Sequence, residues 1–168
     1  MCLFKKKIYK LNEKEYGYLL SKMILTSTQS GFSEISNNFD TSEDKLMYFL
    51  ELSLHYAFIC ECLLKEKYSS LKVDRCINYA IEGLVLGIGI SDDATDQLTE
   101  NIFELYNCIK DEKIDIFTEE GLHQLAQSYQ DCCDLGKDLL IHATIFLLLS
   151  GFIIHHTSDI AGKHLVLI

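Results

Sequence analysis

Acidic side chains recur at a spacing of four residues along one segment of the sequence. Asp92, Asp96, Glu100 and Glu104 would lie above one another on a helix, because residues i and i+4 share a face. Between residues 92 and 120 the sequence holds ten carboxylates and only two lysines. Like charges one turn apart destabilise a helix, so this acidic ridge, residues 92–120, needs an explanation.

Two interpretations of the acidic ridge remain open. It could be a solvated helix face, with the early carboxylates favourable at the positive end of the helix dipole. It could instead dock a basic protein, since complementary charge speeds and orients association. The functional prediction rests on docking, with Tyr106 as an aromatic anchor. The residues predicted to bind the partner are Asp92, Asp93, Asp96, Glu100, Glu104, Tyr106, Asp111, Glu112 and Asp115.

Histidines stand four residues from carboxylates at three places, a pattern shared by metal ligands, catalytic dyads and capped core histidines. Zinc needs three or four ligands, and the sequence offers only pairs. The single Glu-x-x-His, Glu120 to His123, lacks the second copy and the two further glutamates of a di-iron bundle. We therefore predict no metal and no other cofactor. The pairs are Glu51 with His55, Asp138 with His142, and His155 with Asp159.

Candidate nucleophiles do not form a catalytic motif. Cys132 and Cys133 stand between Asp131 and Asp134, whose charges would raise the thiol pKa and slow any reaction. The sequence contains no Gly-x-Ser-x-Gly, no phosphate-binding Gly-Lys-Ser/Thr and no calcium-binding loop. We therefore expect a binding protein rather than an enzyme.

Composition narrows the choice of partner and compartment. The formal net charge is −10, and of fifteen basic residues only Arg75 is an arginine, which argues against a nucleic-acid partner. The seven cysteines contain no Cys-x-x-Cys, and no apolar signal sequence follows Lys5–Lys7. These features predict a protein of the reducing cytoplasm, with thiols as small core residues.

Helical periodicity and capping residues predict about six helices in one domain, residues 1–168. The sequence has no proline to interrupt them. In the helix that follows Ser42, the polar residues Glu51, His55 and Glu61 are expected on the outer side. The helix starts are predicted at Asn12, Ser42, Ser69 or Ser70, Ser91–Asp93, Thr118, and Asp131 or Asp134.

The segment Leu139–Ile154 is apolar on every side, with His142 as an expected core histidine. Such a helix must be buried by other helices or by lipid. His155–Ser158 would end it, and its flanks carry Asp138 and Asp159 rather than basic anchors, so a membrane is the less favoured alternative. The predicted fold is an all-α, single-domain bundle of about six helices around this buried apolar C-terminal helix.

In size, acidity, cysteine content and the acidic ridge, the chain resembles the small acidic immunity proteins that bacteria pair with secreted toxins. The likeness covers the whole chain at the level of type and includes no diagnostic motif. It implies a protein that occludes the active site of a basic, nuclease-type toxin. Asp96, Glu100 and Glu104 would pair with lysines and arginines of that toxin.

Two other functions are left open by the sequence. A membrane-associated protein would place Leu139–Ile154 in lipid and Lys5–Lys7 at the headgroups. A helical domain for a small ligand would instead hold a pocket near His142 and Cys132. The oligomeric state is not predicted.

Overall fold

The computed structural model of the chain describes residues 8–35, 42–88, 95–160 and 165–168. Six helices hold 82% of these residues, and the predicted all-α single-domain bundle is confirmed. The described strands form one short parallel pair. The elements are β1 (Tyr9–Leu11), α1 (Glu13–Ile35), α2 (Ser42–Lys65), α3 (Ser70–Ile88), α4 (Thr95–Asp111), α5 (Glu119–Cys132), α6 (Leu139–Ile160) and β2 (Leu165–Leu167).

Side-chain caps start α1 and α5 where the sequence predicts, whereas the predicted start at Ser91–Asp93 lies outside the described residues. The Glu15 backbone N–H donates to Asn12 Oδ1 at 2.9 Å, and the Asn12 N–H donates to Glu15 Oε2 at 3.1 Å, so α1 opens with a reciprocal capping box. Thr118 Oγ1 accepts from the Gly121 N–H at 3.0 Å at the start of α5. These interactions satisfy backbone donors that the first turn leaves unpaired.

Helix α1 runs through Thr26, Ser27 and Thr28, whose hydroxyls could compete for its backbone hydrogen bonds. The helix continues to Ile35. The hydroxyls of Thr26 and Thr28 donate to the carbonyls of Lys22 and Ile24, at 2.8 and 2.9 Å. Because the hydroxyls are satisfied inside the helix, these residues do not compete with its backbone hydrogen bonds.

Helix α2, and not α6, is the central element of the bundle. Of an apolar 18-residue window in Lys45–Lys65, 72% is buried, compared with 17% in Leu139–Ile160. The other five helices all contact α2, whereas the main contacts of α6 are with α5, α2 and α1. The prediction of a buried C-terminal helix is therefore wrong, because its apolar circumference exceeds the surface that its neighbours cover.

The start of α6 also lies later than Asp131 or Asp134. Asp134 and Gly136 adopt positive φ angles of 50° and 66°, which interrupt the helical path after α5. Asp138 then caps α6, since its Oδ1 accepts from the Leu140 N–H at 2.8 Å. The predicted break at residues 155–158 is absent from this described helix, which continues to Ile160.

The two ends of the described chain meet. Tyr9 pairs in register with Leu165, and Leu11 with Leu167, in parallel orientation. The Tyr16 hydroxyl donates to the Ile160 carbonyl at 3.0 Å and links α1 to the end of α6. The backbone groups of Leu165–Leu167 thus pair with β1 rather than within a helix.

Glycines allow helices α1 and α3 to pack closely against each other. A Cβ built on Gly17 would lie 2.5 Å from the Cys76 carbonyl oxygen and from Tyr79 Cβ. A Cβ built on Gly83 would lie 2.4 Å from Ser21 Oγ. At both positions only glycine leaves room for the observed approach of the two helices.

The polar residues Glu51, His55 and Glu61 lie inside the bundle, so the prediction that they mark an outer side is wrong. Because α2 is surrounded, its polar positions must also be buried. His55 Nδ1 donates to the Glu51 carbonyl oxygen at 2.7 Å, and its ring packs edge-on against Tyr129. Burial lowers the His55 pKa from 6.5 to about 4, although the hydrogen bond opposes this shift.

We predict that Gly17→Ala destabilises the protein, by about 1 to 3 kcal/mol, because the added methyl group forces α1 and α3 apart. Urea unfolding followed by circular dichroism measures the change. Gly151→Ala is the matched control, since a Cβ there meets nothing within 4 Å. That control should gain about 0.5 to 1 kcal/mol from helix propensity alone. Equal stability of the two variants would contradict the close contact.

We predict that His55 makes the protein less stable as the pH falls. The unfolded chain binds a proton near pH 6.5, whereas the folded protein resists it until about pH 4. Stability is thus lost across this interval, by about 3 kcal/mol in total. In His55→Phe, the slope of unfolding free energy against pH should fall over that interval. His155→Phe, which alters an exposed histidine, should keep the wild-type slope.

Candidate functional site

The structure describes only part of the predicted acidic ridge. Asp92 and Asp93 lie outside the described residues, and Asp96 belongs to α4 with its side chain undescribed. Glu100 and Glu104 are exposed on α4. The remaining predicted carboxylates, Asp111, Glu112 and Asp115, are exposed at the end of α4 and in the connection to α5.

Tyr106 does not lie on the surface, so its predicted role as an exposed anchor is wrong. Only 3% of the residue is exposed. Its hydroxyl donates to the Glu61 carboxylate on α2, and burial raises its pKa. The i, i+4 spacing that aligns the carboxylates of α4 outward places Ile102 and Tyr106 on the opposite, core-facing side.

Glu61 is the centre of a charged cluster between α2 and α4. Lys65 hydrogen-bonds its carboxylate, and Lys110 Nζ lies 3.1 Å from Oε1. Burial alone would raise the Glu61 pKa, but the hydrogen bonds from Lys65, Tyr106 and Lys110 lower it overall. The carboxylate is therefore charged and fully engaged in holding α4 on α2, which leaves it unsuited to proton transfer.

Two adjoining clefts on the outer side of α5 carry a different set of carboxylates. The first, of about 530 Å³, is lined by Asp131, Asp138 and Leu139 among others. The second, of about 510 Å³, is lined by Glu112 and Asp131. Since Asp131 borders both clefts, the two form one acidic strip. Among the described lining residues, Lys137 is the one lysine or arginine. We refer to these two clefts, with their carboxylates Glu112, Asp131 and Asp138, as the acidic clefts.

Local hydrogen bonds fix these carboxylates in place. Ser128 Oγ donates to Glu112 Oε1 at 2.7 Å, and Gln127 Nε2 donates to Asp131 Oδ1 at 2.7 Å. Buried Gln130 donates to the carbonyl oxygens of Gly136 and Asp138, both at 3.3 Å. The α5–α6 connection is thereby ordered, so the acidic clefts present fixed charges rather than flexible side chains.

A chain of hydrogen bonds also connects the histidines of α5 and α6. His142 Nδ1 lies 2.7 Å from Gln130 Oε1, and His142 Nε2 lies 3.0 Å from His123 Nδ1. Because Gln130 Nε2 donates elsewhere, its oxygen accepts from His142, whose Nε2 then accepts from His123. His142 is a satisfied, half-buried histidine, in agreement with the sequence-based interpretation. Among the described residues no group of three metal-ligating side chains occurs.

The exposed side of α6 is an apolar stripe. Leu140, Leu147 and Ile154 recur every seven residues and are 77%, 68% and 76% exposed. Residues spaced by seven lie on one face of a helix, so the three form a line along α6, with Thr144 and Ser150 between them. Leu139, which is 85% exposed, lies at the start of this line and borders one of the acidic clefts. Exposed apolar side chains in such a line are a candidate contact surface for a protein or a membrane.

Sequence reasoning missed this surface for one physical reason. An all-apolar helix was assigned to the core, and its exposed leucines were therefore not considered as contact residues. Asp131 and Asp138 were noted only beside the cysteines and histidines. A signal was present, since the segment 139–158, which has no charged residue, is preceded by Asp131, Asp134 and Asp138.

Length and composition would allow two described helices, Lys45–Lys65 and Leu139–Ile160, to cross a membrane. A helix buried in the core of a protein meets the same criteria, and α2 is buried in this way. Comparison of the chain with known protein families, curated proteins and solved structures finds no significant match.

We predict that Glu61→Gln destabilises the protein at neutral pH, by about 2 to 3 kcal/mol, because the charged hydrogen bonds to Lys65 and Lys110 are lost. The lowered pKa makes this stabilisation complete above the unfolded value of 4.5 and lost as the pH falls through the folded value. Urea unfolding at several pH values should show the difference from wild type shrinking in acid. Glu66→Gln, at an exposed site, should change little.

Proposed function

We propose that this chain is an acidic helical binding protein that captures a basic, amphipathic helix of a protein partner. The observation that carries the proposal is the heptad-spaced apolar stripe of α6, Leu140, Leu147 and Ile154, which begins beside the acidic clefts. A partner helix with apolar residues at the same spacing would cover the stripe. Its lysines and arginines would meet Glu112, Asp131 and Asp138.

Charge supports a basic protein rather than an anionic membrane as the occupant. The chain carries a net charge of −10, and the described part of α6 holds Asp159 but no lysine or arginine. An anionic bilayer would be repelled by such a surface, whereas a cationic helix would be attracted to it. Long-range attraction would speed association, and the apolar stripe would supply the buried area that holds the complex.

Neutralisation of a basic toxin is the biological use that we propose for this binding. The acidity of the chain supports a basic partner. The six free thiols among the described cysteines suit a reducing cytoplasm. The proposed surface binds a partner and carries out no reaction. The partner surface is moved, relative to the sequence-based prediction, from Tyr106 and the face of α4 to the α5–α6 side. Glu112 is common to both.

The proposal predicts that a synthetic helical peptide, with leucines at heptad spacing and lysines elsewhere, binds the protein in calorimetric titrations at low salt. Leu140→Ser/Leu147→Ser should weaken binding by about tenfold or more, because apolar contact is lost. Leu71→Ser/Leu86→Ser is the matched control, since these leucines of α3 are 64% and 66% exposed. Equal loss in both variants would show non-specific adhesion and contradict the proposal.

A second set of variants in the same titrations tests the charges. Glu112→Gln/Asp131→Asn/Asp138→Asn removes three charges and keeps the hydrogen-bonding shapes, including the cap of α6. It should weaken binding by about tenfold, and less so at high salt. Glu100→Gln/Glu104→Gln/Asp111→Asn removes the same charge from the acidic ridge and should have a smaller effect. A larger loss of binding in this second variant would place the binding site on α4 instead.

A glutamate version of the peptide should not bind, and vesicles of anionic or neutral lipid should not retain the protein on flotation. Retention on vesicles that is lost in Leu140→Ser/Leu147→Ser would assign the stripe to a membrane and overturn the proposed partner. The use in toxin neutralisation is tested separately, by co-expression with a nuclease toxin from the source organism. Rescue of growth by wild type and not by the acidic-cleft variant is the expected result.

A further inference from the structure

A third cleft, of about 550 Å³, opens between α1 and α6, away from the acidic clefts. It is lined by Ser27 and Gly31 of α1 and by Gly151, Phe152 and His156 of α6, with Tyr56 of α2 at its base. The volume is in the range of small-molecule sites. Leu147 of the apolar stripe also borders this cleft, whereas none of Glu112, Asp131 and Asp138 does.

Glycine keeps this cleft open. Gly151 stands in the interior of α6, where it destabilises the helix by about 1 kcal/mol relative to alanine. A Cβ built on Gly151 would meet nothing within 4 Å among the described residues, so helix packing does not require the glycine. The effect of Gly151 is to leave open space beside α6. Gly17 and Gly83, in contrast, are needed for close contact between helices.

Aromatic rings form one wall of the cleft. The Phe152 ring stacks on Tyr56 with centroids 4.2 Å apart and planes 12° apart. The His156 ring follows, with its centroid 4.7 Å from that of Phe152. Such a wall offers a flat apolar surface that ends in a polar heterocycle, an arrangement that suits a ligand with an apolar body and a polar end.

The polar end has an unsatisfied atom. His156 Nε2 lies 3.0 Å from Ser27 Oγ across the cleft. His156 Nδ1 is buried and has no hydrogen-bond partner among the described residues. A buried nitrogen without a partner costs about 1 to 3 kcal/mol. Rotation of the imidazole toward the cleft would bring this nitrogen to a ligand hydroxyl or carbonyl, which would recover that cost. The hydroxyl of Ser27 can donate or accept, so either His156 tautomer is compatible with such a ligand.

We propose that the α1–α6 cleft binds a small, uncharged, largely apolar molecule with one hydroxyl or carbonyl group. The apolar body lies against Phe152 in the space beside Gly151, and the polar group hydrogen-bonds His156. Burial lowers the His156 pKa, with His155 acting in the same direction and Asp159 opposing it. The imidazole is consequently neutral at neutral pH and does not select an anion.

The test is protein-observed NMR of the full chain, titrated with p-cresol, p-xylene and 4-methylbenzoate. These probes share one ring and differ in a hydroxyl, a methyl and a carboxylate group. Saturable shifts at the amides of Ser27, Gly31 and Gly151 are expected with p-cresol. The affinity for p-xylene should be lower by about fivefold or more, since it forms no hydrogen bond with the cleft. That for 4-methylbenzoate should be lower by a similar factor, since its charge would be desolvated beside a neutral imidazole.

Variants decide whether the cleft is the site. Gly151→Leu fills the space with a better helix former and should reduce p-cresol affinity at least tenfold. Ala143→Leu adds a leucine at an exposed position of α6 and should bind as wild type does. His156→Phe should make p-cresol and p-xylene bind alike.

Three outcomes would overturn the proposed cleft ligand. The first is the absence of saturable shifts at millimolar probe. The second is unchanged binding in Gly151→Leu, and the third is a set of shifts confined to Leu139 and Leu140. Each leaves the peptide-binding proposal standing, because that rests on the outer face of α6 and on α5.

Discussion

The surrounded position of α2 is the constraint on which the rest of the structure depends. Five helices contact it, so every polar group along it must be neutral or paired. His55 is held neutral by burial, and Glu61 stays charged because Lys65, Tyr106 and Lys110 bond its carboxylate. These interactions commit one side of α4 to the core. They also remove Tyr106 and Glu61 from any surface role, and direct Glu100 and Glu104 into solvent.

Covering α2 also decides what remains exposed. Helices α1 and α3 approach closely through Gly17 and Gly83, and together they occupy one side of α2. Helices α5 and α6 pack on another side, where Gln130 and the His123–His142 hydrogen bond order the connection between them. Because α6 has neighbours on only part of its circumference, an apolar stripe is left facing outward beside carboxylates. This exposed stripe is the basis of the proposed binding function.

The two proposed sites on α6 differ in the kind of ligand that they suit. The outer stripe is a convex line of leucine and isoleucine side chains, which a partner helix can cover. The α1–α6 cleft is concave and bounded by stacked rings, with His156 at its polar end. Occupation of the cleft would act on the same helix that carries the stripe, so a small molecule there could influence the geometry of the partner-binding face.

Local sequence patterns determined the helices of this protein. The Asn12–Glu15 capping box, the Thr118 cap and the helical spacing of apolar residues depend on near neighbours, and they predicted most helix starts and the all-α class. Tertiary structure alone decided which helix is central. The apolar residues of a helix determine how much surface it can bury favourably. How much surface is in fact buried depends on how many helices surround it. For that reason Leu140, Leu147 and Ile154 are exposed, while Glu51, His55 and Glu61 are buried.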